Sequence, residues 1–124
     1  MLSVKKLIYK ILSLPMVVEE GTVGTWMYRK WSDGTAECWG LFGEKTLSIS
    51  TAYGNAFYGA FQTVTFPNGL FVDRPIPSLS LRNSNGVWGG INGLSATYVS
   101  YYPFCSKSGN QTIEEEVYAI GRWK

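Results

Sequence analysis

The sequence predicts an all-β domain, a β-sandwich-like arrangement of about eight short antiparallel strands preceded by a short N-terminal helix. Three observations favour this class. The 124 residues suffice for one domain with a core but not for two. Glycine occurs 14 times and aromatic side chains make up 15% of the chain, a combination typical of short strands joined by tight turns. From residue 16 onward, turn signals recur about every eight to twelve residues, which argues against a βαβ fold.

Residues 1–15 are expected to form the helix as a separate, coiled-coil-like segment. Apolar side chains recur there at the three–four–three spacing of a coiled-coil seam, and Pro15 ends the pattern. A helix of about four turns is marginal alone in water, so it needs the β domain or copies of itself as a partner. We expect an oligomerising helix. Its seam residues are Val4, Leu7, Ile11 and Leu14.

Two other interpretations of this segment are open. A signal peptide would follow from Lys5 and Lys6 before an apolar stretch, but Tyr9 and Lys10 interrupt that stretch and no small-residue cleavage site follows promptly. The segment would also fit the end of a longer chain. The apolar run is too short to span a membrane, so membrane insertion is not expected.

Residues 16–124 are expected to form the β domain. The turn at Ser32, Asp33 and Gly34 predicts a hairpin, and residues 83–86 (Asn-Ser-Asn-Gly) predict another turn. Pro75 and Pro77 mark the entrance to a strand, at an edge or before its pairing starts. The expected strands are 25–31, 35–42, 45–50, 61–66, 78–82, 87–91, 97–102 and 113–123.

The residue types argue against catalysis and against metal or cofactor binding. The chain has no histidine, which removes Ser-His and Cys-His chemistry and histidine-based metal sites. The dense acidic cluster is Glu114, Glu115 and Glu116 on a predicted strand, where alternation separates the middle carboxylate from the other two. A solvated strand face explains this cluster better than a catalytic pair. The net charge of +2 is too small to indicate a nucleic-acid partner.

The two cysteines, Cys38 and Cys105, are too few for a cysteine-rich zinc site. A disulfide between them is possible, but nothing in the sequence brings them together within the roughly 7 Å between Cα atoms that a bridge requires. Cysteine is also among the most buried residue types. We therefore expect two buried or partly buried thiols.

Aromatic residues in loops are the candidate ligand contacts, because a sugar ring can stack on an exposed aromatic face while amides bind its hydroxyls. Three clusters combine such residues. The first surrounds Phe57, the second places Trp88 beside two asparagines, and the third groups Tyr101, Tyr102 and Phe104 near Asn110. Ordinary packing in a glycine-rich loop explains any single residue better than ligand binding does, but we expect at least one of the clusters to bind a ligand. The predicted ligand-binding residues are Tyr53, Asn55, Tyr58, Asn83, Asn85 and Trp88.

Three segments carry a resemblance to a known family. Residues 24–40, an aromatic strand, a Ser-Asp-Gly turn and a strand ending in Cys-Trp-Gly, resemble the opening hairpin of the C-terminal domain of phage and prophage tail-fibre and minor structural proteins. Residues 64–71 look like the central strand and turn of that family, and residues 117–124 are similar to its terminal strand. The resemblance spans residues 18–124, with departures mainly at 52–60 and 78–107.

The resemblance implies a homotrimeric, non-enzymatic tip at the end of a tail fibre in the virion, where it contacts the host cell surface. Its partner would be a surface glycan or protein, bound by multivalent contact. It supplies no conserved pocket, so no binding residue carries over. Trp123 joins the helical seam as an expected interface residue, because the strands contain more tryptophan than a small core readily hides. The alternatives are a structural tail cap without a ligand and a free-standing lectin-like module.

Overall fold

In a computed structural model, residues 3–124 are described, and the side chains of residues 9, 11 and 12 lie outside the description. This part of the chain forms one helix and nine strands, which confirms the all-β prediction. The elements are α1 (Val4–Leu12), β1 (Val17–Val23), β2 (Trp26–Trp31), β3 (Thr35–Tyr53), β4 (Ala56–Gly59), β5 (Gln62–Thr65), β6 (Ile76–Arg82), β7 (Trp88–Leu94), β8 (Tyr98–Cys105) and β9 (Gly109–Arg122).

All nine strands belong to one antiparallel, hydrogen-bonded sheet. Strand β3 pairs with β9 along one edge, while β2 and β4 pair with successive parts of its other edge. Strand β8 pairs with β4 and β5 on one side and with β7 on the other. We call β1, β2, β3, β9 and β6 the β3 layer, and β4, β5, β7 and β8 the β8 layer.

The core lies between these two layers. Cys38 and Ala119 of the β3 layer and Val99 and Tyr101 of the β8 layer are fully buried in one cluster, although neither β3 nor β9 pairs with β8. Contact between unpaired strands means that the sheet folds over itself and packs face to face, as in a sandwich. A second cluster extends the core and consists of Leu47, Ile49, Val87, Cys105 and Ile113.

Strand β1 was not expected from the sequence. It pairs with β2 from Val23 back to Val17, and almost every residue along it is exposed. A strand without a buried face carries no alternation of apolar and polar residues, so its sequence has no period of two to detect.

The two strands expected at 35–42 and 45–50 are one continuous strand, β3. The glycine at position 43 sits at a bulge between Phe42 and Glu44, where the register with β9 shifts. A glycine inside a strand pattern signals either a bulge or a turn, and here it is a bulge. With 19 residues in β3 and 14 in β9, these two strands are longer than expected.

Strands also extend into two regions outside the expected strands. Residues 52–60 form the tip of the β3–β4 hairpin, and β9 begins at Gly109, before its expected start at residue 113. The turns predicted at Gly34 and Gly86 are confirmed, and both glycines have positive φ (95° and 74°). The strand after Pro75 is β6. Within the described sheet it pairs with β9 alone, so it lies at an edge, one of the two positions expected for it.

The prediction for the cysteines is confirmed, since within residues 3–124 both are free and buried. Burial raises the pKa of the Cys38 thiol to about 12, so it holds little reactive thiolate at neutral pH. We expect the native chain to resist alkylation at pH 8, and the chain unfolded in guanidinium without reductant to take up two labels in an intact-mass measurement. An unfolded chain that takes up none would reveal a disulfide.

Gly59 of β4 should tolerate no side chain, because a Cβ there would lie 2.3 Å from the backbone oxygen of Ser48. We expect Gly59→Ala to lower the free energy of unfolding by about 1–3 kcal/mol, the usual cost of overpacking. Urea denaturation measures this, with Gly43→Ala as the matched control, since a Cβ at Gly43 meets nothing within 4 Å. Equal midpoints for the two variants would contradict the close approach of β3 and β4.

Candidate ligand-binding site

The outer face of the β8 layer carries a group of aromatic side chains. Along β8, the side chains of Tyr101 and Cys105 enter the core, so the intervening Tyr102 and Phe104 point away from it. Phe104 is paired in register with Tyr58 of β4 on one side and with Trp88 of β7 on the other. Cross-strand pairing therefore brings three aromatic residues from three separate segments side by side.

These rings join others in a continuous set, which we call the aromatic row. Trp88 stacks on Phe104, with ring centroids 5.9 Å apart and planes 11° apart. The Tyr53 centroid lies 5.7 Å from that of Phe104, and the Tyr58 centroid lies 5.7 Å from that of Tyr102, in edge-to-face pairs. Such geometries are favourable for aromatic pairs. The row consists of Trp88, Phe104, Tyr53, Tyr58, Tyr102 and Phe61.

An open cleft of about 320 Å³ lies within the row, lined by Tyr53, Tyr58, Tyr102 and Phe104. Its volume falls within the range of roughly 300–1,000 Å³ that small-molecule sites occupy. The side chains remain accessible, with Tyr53 64% exposed, Phe61 56% and Trp88 49%. The row is thus an apolar surface open to solvent on the side of β8 opposite the core.

The structure separates the six predicted ligand contacts into two places. Tyr53, Tyr58 and Trp88 meet in the aromatic row, and Asn55 occupies the exposed turn between β3 and β4. Asn83 and Asn85 lie in the β6–β7 turn, where their amides donate to the Thr112 oxygen (2.6 Å) and to Gln111 Oε1 (3.1 Å). These two amides fasten the turn to β9.

Tyr53, Tyr58 and Phe104 were expected in loops, whereas they lie in strands β3, β4 and β8. Tyr101, grouped with Tyr102 and Phe104 in one candidate cluster, is fully buried and faces the opposite side of β8. Phe61 was assigned to a strand and not to a site. The alternation of residues 98–105 is the signal that separates the buried tyrosine from its exposed neighbours.

The acidic cluster on β9 divides as its alternation predicts. Glu114 and Glu116 are partly exposed, and Arg82 of β6 pairs with both, at 3.5 Å to Glu114 Oε2. Glu115 points inward, where it accepts a hydrogen bond from the Tyr101 hydroxyl and pairs with Lys45 Nζ at 2.8 Å. Burial, and then the bond to Glu115, raise the pKa of the Tyr101 hydroxyl. This buried carboxylate is fully partnered and joins β9, β8 and β3.

The expected interface residues lie in two settings. Val4, Leu7 and Leu14 are exposed apolar residues at the N-terminal end, and the Ile11 side chain lies outside the described residues. Trp123 packs against the core of its own chain, and its indole Nε1 donates to the Trp31 carbonyl at 2.8 Å. The helical seam is therefore open in the single chain, while Trp123 is half-buried.

Residues 3–124 contain no group of three or more metal-ligating side chains placed to hold an ion. None of the helices formed by these residues combines the length and the apolar character that crossing a bilayer requires.

No protein-family model matches the sequence, and no curated protein matches it. Among solved structures, the chain is similar to the N-truncated R1-type pyocin tail fibre, with a TM-score of 0.65 and 14% identity over 98% of both chains. It is also similar to the C-terminal part of the P. aeruginosa R1 pyocin fibre, with a TM-score of 0.66 and 14% identity, covering 98% of this chain and 32% of that one. At this level of identity the likeness concerns the fold. Over 98% of its length, the chain has a fold similar to that of R1 pyocin tail-fibre chains.

Proposed function

We propose that the chain is the receptor-binding tip domain of a phage-type tail fibre, which acts as a homotrimer in the virion and engages a glycan or protein on the host cell surface. One observation carries the proposal, the structural likeness to a pyocin tail fibre over 98% of both chains. The resemblance of residues 24–40 and 117–124 to tail-fibre segments supports it independently.

The aromatic row provides the recognition surface in this proposal. An exposed aromatic group in a cleft is unusual for a soluble domain unless something binds there, since large apolar surfaces normally mark interaction sites. Trp88, Tyr53 and Tyr58 supply flat faces for such contacts. Asn55 in the adjacent exposed turn can contribute an amide.

The N-terminal segment supports assembly into a trimer. Val4, Leu7, Ile8 and Leu14 are exposed in the single chain, and a nine-residue helix with an open apolar stripe is not stable alone in water. Packing against copies of itself would bury that stripe and place three tips side by side. Three weak sites on one rigid body raise the avidity for a repetitive surface without additional contacts.

The residue types and the pairing of the acidic cluster argue for recognition without catalysis. The chain has no histidine to transfer protons near neutral pH. The Glu114 and Glu116 carboxylates both pair with Arg82, and Glu115 is buried beside Lys45 and Tyr101. Each carboxylate of the cluster thus has a basic partner, which favours a structural role.

A structural tail cap is the second candidate. The exposed apolar residues of the N-terminal segment and of β1, including Met16, Val17 and Val18, favour assembly and require no ligand. Adsorption to cells distinguishes the two candidates, because a cap would not adsorb.

We expect the purified chain to be a trimer at micromolar concentration in sedimentation equilibrium. Deleting residues 1–15 should weaken the association because it removes the helical seam. The β domain should stay folded, because the core lies wholly within residues 26–119. A full-length chain that sediments as a monomer would contradict the trimer.

We expect Tyr58→Ala or Trp88→Ala to lower adsorption to host cells while leaving the fold and the trimer intact, because each removes one ring of the aromatic row and neither ring belongs to the core. The control is the double change Glu114→Gln and Glu116→Gln, which alters charge on the other layer and should affect adsorption little. Binding of fluorescently labelled protein to bacteria measures the effect. Loss of binding in the glutamine variant alone would place recognition on the β3 layer, and release of reducing sugar would indicate an enzyme.

A further inference from the structure

We propose that the aromatic row binds an uncharged stretch of polysaccharide, with Tyr102 and Phe61 as contact residues beside Tyr53, Tyr58 and Trp88. This inference rests on the proposed function and names the ligand class of its site. Three features of the row carry it: the accessible faces of its rings, its unpaired hydroxyl groups and its lack of charge.

The rings are placed for contact with an extended ligand. They come from the end of β3, from β4, β7 and β8, and, in Phe61, from the residue before β5, so the row extends across β4, β8 and β7. Most neighbouring pairs meet edge to face, such as Phe61 with Tyr102 at 78°. Successive rings therefore turn their faces in different directions, which suits a chain of linked sugar rings more than a single flat molecule.

The tyrosines of the row carry free hydrogen-bonding groups. Elsewhere in the chain, Tyr28 and Tyr118 donate their hydroxyl protons to carboxylates, at 2.9 and 2.6 Å. By contrast, the hydroxyls of Tyr53, Tyr58 and Tyr102 have no hydrogen-bond partner among the residues that the structure describes. Each of these side chains thus offers an apolar ring face and a hydroxyl group that is free to donate and accept. The ring face can contact the apolar face of a sugar, and the hydroxyl can bind the hydroxyl groups of the sugar.

The side chains that line the cleft are all uncharged. The other large surface depressions differ, since one contains Glu44, Arg82 and Glu114 and another contains Glu20 and Arg29. A charged ligand placed among the tyrosines would lose hydration without gaining a counter-ion. The row therefore favours neutral sugars over uronic or sialic acids.

Gly90 of β7 allows the row to be disturbed without removing any of its rings. It pairs in register with Tyr102 and lies two residues after Trp88 on the same face of β7. A Cβ at Gly90 would lie 3.0 Å from Cε2 of Phe104, so the Phe104 ring packs closely against the glycine. An added methyl group would therefore push the Phe104 ring from its position.

The experiment measures binding of the full chain to an array of neutral oligosaccharides (hexoses and N-acetylhexosamines) and acidic ones (with uronic or sialic acids). We expect binding to neutral oligosaccharides. Tyr58→Ala and Gly90→Ala should each weaken it about tenfold, and Tyr102→Phe, which loses one hydroxyl, about threefold. The matched control is Tyr118→Ala, an exposed tyrosine on the outer face of the β3 layer, which should bind as the unaltered chain does.

Binding to acidic oligosaccharides alone, or equal binding by all variants, would overturn the inference. If the chain binds nothing on the array, its adsorption to bacteria is measured after treating the cells with periodate or with protease. Adsorption lost after periodate and kept after protease supports a glycan, whereas the reverse identifies a protein receptor and overturns the inference but not the proposed function. Adsorption to no cell, with a blank array, would defeat the proposed function itself. If Gly90→Ala changed the oligomeric state of the chain in solution, the row would be a subunit interface instead of a glycan site.

Discussion

The pairing of β3 with β9 is the constraint on which the rest of the fold depends. Residues 35–49 run antiparallel to residues 109–122, so a segment near the start of the domain is held along its whole length by the end of the chain. Every other strand attaches to this pair directly or through one or two intermediate strands. Strands β2 and β4 bond to β3, and β6 bonds to β9. Strand β1 reaches β3 through β2, β8 reaches it through β4, and β5 and β7 reach it through β8 and β4. Two bulges in β3, near Gly43 and before Thr51, interrupt its pairing and let the strand bend toward the second layer.

The position of the aromatic row follows from that folding-over. Because β8 lies over the β3–β9 pair, its inward residues must fill the core, and Tyr101 reaches far enough to donate to Glu115 of β9. Lys45 of β3 pairs with the same carboxylate and neutralises it, which a buried charge requires. With the inward face of β8 occupied in this way, the alternate residues Tyr102 and Phe104 can only point outward. Register with Tyr58 and Trp88 then completes the row. The surface proposed for recognition is thus a by-product of how the core is closed.

Most of the fold class could be predicted from the sequence, and less of the site. Alternation in residues 26–31 and 45–50 and the glycine turns at Gly34 and Gly86 were sufficient to predict strands and hairpins, because each depends on local chemistry. Strand β1 was missed since its exposure erases the alternation. The aromatic row depends on cross-strand register between segments far apart in the sequence, such as Tyr58 with Phe104, which no local pattern encodes. The hydrogen bonds of Asn83 and Asn85 to β9 likewise join distant segments and could not be predicted locally.

The central claim is that the outer face of the β8 layer, and not that of the β3 layer, meets the host surface. Hydroxyl-radical footprinting of the full chain, free and adsorbed to bacteria, tests it most directly because tyrosine and tryptophan report on both faces in one measurement. The account predicts protection of Tyr53, Tyr58 and Trp88 on adsorption, with the oxidation of Trp39 and Tyr118 on the β3 layer unchanged. Protection of Trp39 and Tyr118 with the aromatic row still oxidised would contradict it.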